Sequence, residues 1–106
     1  RVGTRLELRG EDDDLVAFRF LPDRGGEIAC KVEEIGLGGL RARRPEGPSE
    51  FPYWKHSKAK GLLVIDGSEF EVPQVRIAEL TDRNVHLEFV RIPHEATMAL
   101  RKLLGG

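Results

Sequence analysis

The sequence is poor in the residues that close small folds covalently or through metals. Its single cysteine, Cys30, excludes an intramolecular disulfide and cannot supply a thiolate zinc cluster, and its three histidines, His56, His86 and His94, lie far apart along the chain. No structural metal site is expected. Long apolar runs are missing too. Nothing approaches the length needed to cross a bilayer, and the N-terminus lacks the apolar stretch of a signal peptide, so direct membrane insertion is not expected. Nor does one sign of charge prevail. Seventeen basic side chains stand against eighteen acidic ones, so no whole-molecule field exists to recruit a nucleic-acid polymer. The sequence begins at Arg1 without a methionine and reads as a fragment of a longer chain.

What is present suits one domain of 106 residues, a length at which a single core folds without metals or disulfides. In "LVAFRF" (15–20), Val16, Phe18 and Phe20 alternate with Leu15, Ala17 and Arg19, the period of a half-buried strand. "LPDRGG" then supplies turn chemistry, and "EIACKVEEI" alternates Ile28, Cys30 and Val32 against polar Lys31 and Glu33 as an antiparallel partner. After "GLGG", Leu40 and Ala42 alternate with Arg41 and Arg43 in a third strand. "RPEGPSEFPYWKHSKAKG" holds three of the six prolines and reads as a long connection. Three further strands follow in "LLVID", "EFEVPQVRIAEL" and "VHLEFV", joined by the turn signals "DGS" and "TDRN". Pro73 lacks an N–H for the ladder and marks an edge or a bulge. At the end Ile92, Ala96, Ala99, Leu100, Leu103 and Leu104 recur at helical spacing, with Pro93 at the start, Arg101 and Lys102 in the last turn and Gly105 at the stop. The expected fold is all-β, mainly antiparallel: an arm over 1–14, a small six-stranded barrel over 15–91 and one helix over 92–104 that covers an opening or an edge.

The chemistry such a chain offers is narrow. Cys30 sits at an inward strand position, where a small buried hydrophobe is expected rather than a nucleophile. The acids "EDDD" (11–14) are consecutive, so their side chains diverge and read as a solvated charge run rather than a cation site. None of the paired-carboxylate, metal or phosphate-loop spacings of enzymes is met, and neither a catalytic residue nor a cofactor is expected. The "FPYW" aromatics (51–54) read first as a loop pinned by its own side chains, and second as a face for a protein partner. Two features remain. "RVGTRLELR" places Arg1, Arg5 and Arg9 at intervals of four, as overlapping R-x-x-x-R pairs, and guanidinium groups bind phosphates bidentately, pair with a guanine edge and stack on bases. "EEIGLGG" exposes backbone whose N–H groups suit an anion nest.

The order of these features resembles the PilZ domain family, bacterial receptors for the second messenger cyclic di-GMP. The family pattern is an R-x-x-x-R arm, a first hairpin, an acid-hydrophobic-Ser-x-x-Gly turn, a barrel and a C-terminal helix. Here the turn aligns as Glu34-Ile35-Gly36-Leu37-Gly38-Gly39, followed by Leu40-Arg41-Ala42, and the resemblance extends to "VHLEFV" before the helix. It implies a ligand seat made by Arg5 and Arg9, or Arg1 and Arg5, together with Glu34, Gly36 and Gly39. Glu34 stands where the family has Asp or Asn, one methylene shorter, and Gly36 stands where it has the serine. Losing a hydrogen bond costs about 0.5 to 1.5 kcal/mol, or about 1.5 to 3 when a charge is involved, so the implied binding is weak. The resemblance implies a cytoplasmic signalling module that passes cyclic di-GMP binding to a protein partner or neighbouring domain. The alternative is a module that has lost the nucleotide and binds a protein partner alone.

Overall fold

The computed structural model describes residues 5–10, 14–45 and 51–105. Eight strands and one helix follow along the chain: β1 Arg5–Glu7, β2 Val16–Phe20, β3 Ile28–Cys30, β4 Val32–Gly36, β5 Gly39–Arg43, β6 Lys58–Ile65, β7 Ser68–Leu80, β8 Asn84–Arg91 and α1 His94–Leu103. All strands pair antiparallel in one sheet, in the order β1-β4-β5-β8-β7-β6-β2-β3. Only Lys31 separates β3, at one end of that order, from β4, next to the other end. The sheet therefore has to curl until its ends approach, as a half-barrel. Lys31 is held at the crossing, where its carbonyl accepts the Arg43 N–H at 2.8 Å.

The strand count thus differs from the expected six. "EIACKVEEI" is one stretch of alternation but two strands, because it leaves β2 for β5 at Lys31. The additional strand, β1, comes from the arm. Leu6 and Leu8 pack partly buried against the core, and backbone pairing with β4 holds residues 5–7. The other expectation for this region, the "EDDD" run, lies mostly outside the described residues, and Asp14 is exposed.

Inward positions alternate as a half-barrel requires: Val16, Phe18 and Phe20 on β2, Leu63 and Ile65 on β6, Val85 and Leu87 on β8. Phe18 and Phe20 are fully buried with ring centroids 5.1 Å apart, edge to face, and each such side chain contributes about 1.5 to 3 kcal/mol by leaving water. On β7 the inward series runs Val72, Val75, Ile77, and the interval of three between the first two falls at Pro73 and Gln74. There the pairing steps from Gly61↔Val72 to Ala59↔Val75, a bulge with one residue extra on β7. Pro73 therefore marks a bulge within an interior strand. Asp66 and Gly67, both at positive φ, turn β6 into β7 as a tight two-residue hairpin.

Phe51 and Tyr53 of the long connection pack on Phe20, with centroids 5.3 and 4.9 Å away, and pin it to the barrel. Trp54 points out and is 70% exposed. The helix begins after Pro93, which occupies the N-cap position, carries Glu95 in its first turn and Arg101 and Lys102 in its last, and lays Ala96 and Leu100 inward. No helix among the described residues is long and apolar enough to cross a bilayer.

Candidate ligand-binding site

The site is organised by a second bulge. β4 pairs with β5 as Val32↔Ala42 and then Glu34↔Arg41, so Glu33 is the extra residue. Val32 and Ile35, three apart, consequently both face the core, while Glu33 and Glu34 are both left half-buried. Bulges re-aim side chains in this way where a strand carries function. Alongside, β1 pairs Arg5↔Gly36, Leu6↔Ile35 and Glu7↔Glu34. Gly36 presents no side chain opposite Arg5, and the Arg5 guanidinium reaches along the ladder to donate from Nη1 to Glu34 Oε1 at 2.7 Å.

Arginines from a neighbouring strand complete the charge pattern. Arg41 Nη1 lies 3.7 Å from Glu34 Oε2, and its Nε lies 3.6 Å from Glu33 Oε1. Glu33 also accepts from Asn84 Nδ2 at 2.6 Å and faces Arg43 Nη2 at 3.9 Å. Glu34 is therefore bracketed by two guanidinium groups, one of which is loosely committed: the Arg5 side chain is 57% exposed and the Glu34 side chain 18%. An ion pair exposed on its arginine side contributes about 0 to 1 kcal/mol, and Arg41 gives Glu34 a second cation beside Arg5.

Of the residues singled out in the sequence, the structure brings Arg5, Glu34 and Gly36 together. Arg9 follows β1 and, with Lys31, Arg41 and Arg43, lines an adjoining concavity of about 360 Å³. Arg1 lies outside the described residues. Gly39 is fixed by packing: a Cβ there would stand 1.9 Å from the Leu87 carbonyl oxygen of β8. The 36–39 turn is not an anion nest. A nest uses a left-handed residue, whereas the left-handed glycines among the described residues are Gly25, Gly67 and Gly105, and the Gly38 carbonyl accepts the Phe89 N–H at 2.9 Å. The positive character of the site comes from arginine side chains instead. Sequence reasoning did not assign Glu33, Arg41, Arg43 or Asn84 to it. The alternation of "LRAR" was the available signal for the two arginines, and nothing in "TDRN" pointed to Asn84.

Cys30 is buried, and burial pushes its thiol up from 9.0 to about 12, as expected of a core residue rather than a nucleophile. His86 is paired across the ladder with Arg41, and His56 Nδ1 lies 2.6 Å from Arg76 Nη1.

No protein-family model matches the chain, and no curated protein matches it by sequence. Solved structures do match its shape. The Bacillus subtilis inhibitor of motility MotI/DgrA superposes with a TM-score of 0.72 at 15% identity, over 95% of this chain and 47% of that one. An uncharacterised Legionella protein superposes with a TM-score of 0.58 at 19% identity, over 95% of this chain and 89% of that one. The chain spans about half the length of MotI/DgrA, and at these identities the likeness establishes the fold: a curled antiparallel sheet closed by a C-terminal helix.

Proposed function

We propose that the chain is a PilZ-like signalling module of the bacterial cytoplasm. It binds cyclic di-GMP weakly and passes the event to a protein partner or neighbouring domain, without catalysis and without a metal or other cofactor. The observation that carries this reading is the 2.7 Å contact between Arg5 and Glu34 across β1 and β4, which joins the arm to the acid of the turn. The Arg5 guanidinium donates bidentately to a ligand phosphate, and the Glu34 carboxylate so released accepts from the guanine edge. Arg9, or Arg1 in its place, supplies a second cation from the arm. The absent hydroxyl at Gly36 is what makes the binding weak. The likeness to a motility inhibitor supports the fold on which this site rests.

The exposed Trp54 favours the second reading, a module that binds a protein partner and ignores the nucleotide. An NMR titration of backbone amides with cyclic di-GMP separates the two. The receptor reading expects shifts concentrated in residues 5–10 and 33–41. Shifts absent at those positions refute it, and a partner whose binding is indifferent to cyclic di-GMP and lost in Trp54→Ala establishes the alternative.

A further inference from the structure

The reading above uses the arm side of the charged face. At the far end of β5, Arg43, Arg44, Arg83 and Asn84 line a further concavity of about 490 Å³, together with Glu33 and Asp82; it shares Glu33 and Arg43 with the one beside Arg9. Arg43 lies two residues along β5 from Arg41, the ladder partner of Glu34, which at about 3.3 Å per residue is roughly 7 Å.

The walls of this concavity are braced by hydrogen bonds that do not involve a ligand. Thr81 Oγ1 accepts the backbone N–H of Arg83 at 3.3 Å and of Asn84 at 2.9 Å, and the Thr81 N–H donates to the Asn84 carbonyl at 2.9 Å. The Arg44 N–H donates to the Arg83 carbonyl at 2.7 Å, so the turn that carries Arg83 is tied to the strand end that carries Arg44. Arg44 Nη1 donates to the Thr81 carbonyl at 3.2 Å, and its guanidinium lies 5.7 Å from the Phe51 ring centroid. The acids are unevenly available. Glu33 is engaged by Asn84 at 2.6 Å and by Arg41 at 3.6 Å, which leaves Asp82 as the one uncommitted acid among the lining residues. Arg43 makes only a long ion pair with Glu33, at 3.9 Å, and its side chain is 62% exposed, so a ligand can compete for its guanidinium.

We propose that Arg43, Arg44 and Arg83 form a second anion pocket, adjoining the seat at Glu34 through Arg43, that takes a small diphosphate-bearing ligand. Guanidinium forks match phosphate oxygens bidentately, and a single carboxylate would leave two of the three unmatched. The volume falls within the range of about 300 to 1,000 Å³ typical of small-ligand pockets. A polymer is disfavoured, because a chain with a net charge of −1 has no long-range field to hold one.

Calorimetric titration of the whole chain with inorganic pyrophosphate at low salt tests this. The pocket predicts saturable binding that Arg43→Ala and Arg83→Ala each weaken about tenfold or more, and that Arg24→Ala leaves unchanged. Three results overturn it: no saturable heat up to about 10 mM, an equal loss in Arg24→Ala, which marks diffuse charge, or a loss in Arg5→Ala that spares Arg83→Ala, which places pyrophosphate in the other seat. Melting curves of the variants establish that each remains folded.

Discussion

Replacing Gly39 with alanine tests whether this glycine is required by the barrel itself, before any ligand is considered. The added Cβ would stand 1.9 Å from the Leu87 carbonyl oxygen, 3.0 Å from its carbon and 3.2 Å from the Glu88 Cα. All three are backbone atoms of β8, which is held on its other side by β7, so no side-chain rotation relieves the clash. Either β5 separates from β8 or both strands shift, and overpacking at a rigid site costs about 3 kcal/mol, the upper end of the usual range. For a domain of this size that lowers the melting temperature by roughly 12 to 24 °C. In urea the midpoint falls by about 1 to 3 M with the slope unchanged. Gly38, one residue earlier, is the internal control, since a Cβ there meets nothing within 4 Å. Gly38→Ala is expected to stay within about 1 kcal/mol of the parent. If Gly39→Ala melts with the parent, or if both variants lose stability equally, the close approach of β5 and β8 is not what demands the glycine.

Two further outcomes follow from the same geometry. Arg5→Ala and Glu34→Gln should each change unfolding free energy by less than about 1 kcal/mol, because the pair is exposed on the arginine side; a larger loss in urea unfolding would make the contact structural and undercut its availability to a ligand. Cys30 has a folded-state thiol raised from 9.0 to about 12, so the unfolded chain releases this proton first. Its stabilising contribution is whole below pH 9.0 and is progressively lost as pH climbs to about 12. The stability advantage of the parent over Cys30→Ala should therefore shrink between about pH 8 and about pH 10.5, and a constant difference would show that the thiol is not desolvated.

Much of the barrel was legible because inward positions repeat every second residue. The helix was legible because Ala96, Leu100 and Leu104 repeat at helical spacing and all lie buried. What escaped were features that leave this alternation intact or break it only locally. The change of partner at Lys31 is invisible in sequence, since Ile28, Cys30 and Val32 keep one parity straight through it. The bulge at Glu33 does leave a trace, the interval of three between Val32 and Ile35, as the bulge at Pro73 does between Val72 and Val75. β1 was hidden because Leu6 and Leu8 are the apolar members of a charged segment, too few to set a period. For the site, spacing put Arg5 and Arg9 in one arm, and only the resemblance to the PilZ pattern singled out Glu34 beside the turn. The approach of Arg5 to Glu34 depends on β1 adding to β4, a long-range pairing that no local pattern specifies.

Calorimetry with cyclic di-GMP tests the central claim most directly. The account predicts saturable binding near the micromolar range, weakened by about one to two orders of magnitude in Arg5→Ala and unchanged in Arg24→Ala, which lies away from the seat. No heat at about millimolar ligand, or binding that Arg5→Ala leaves intact, would contradict it.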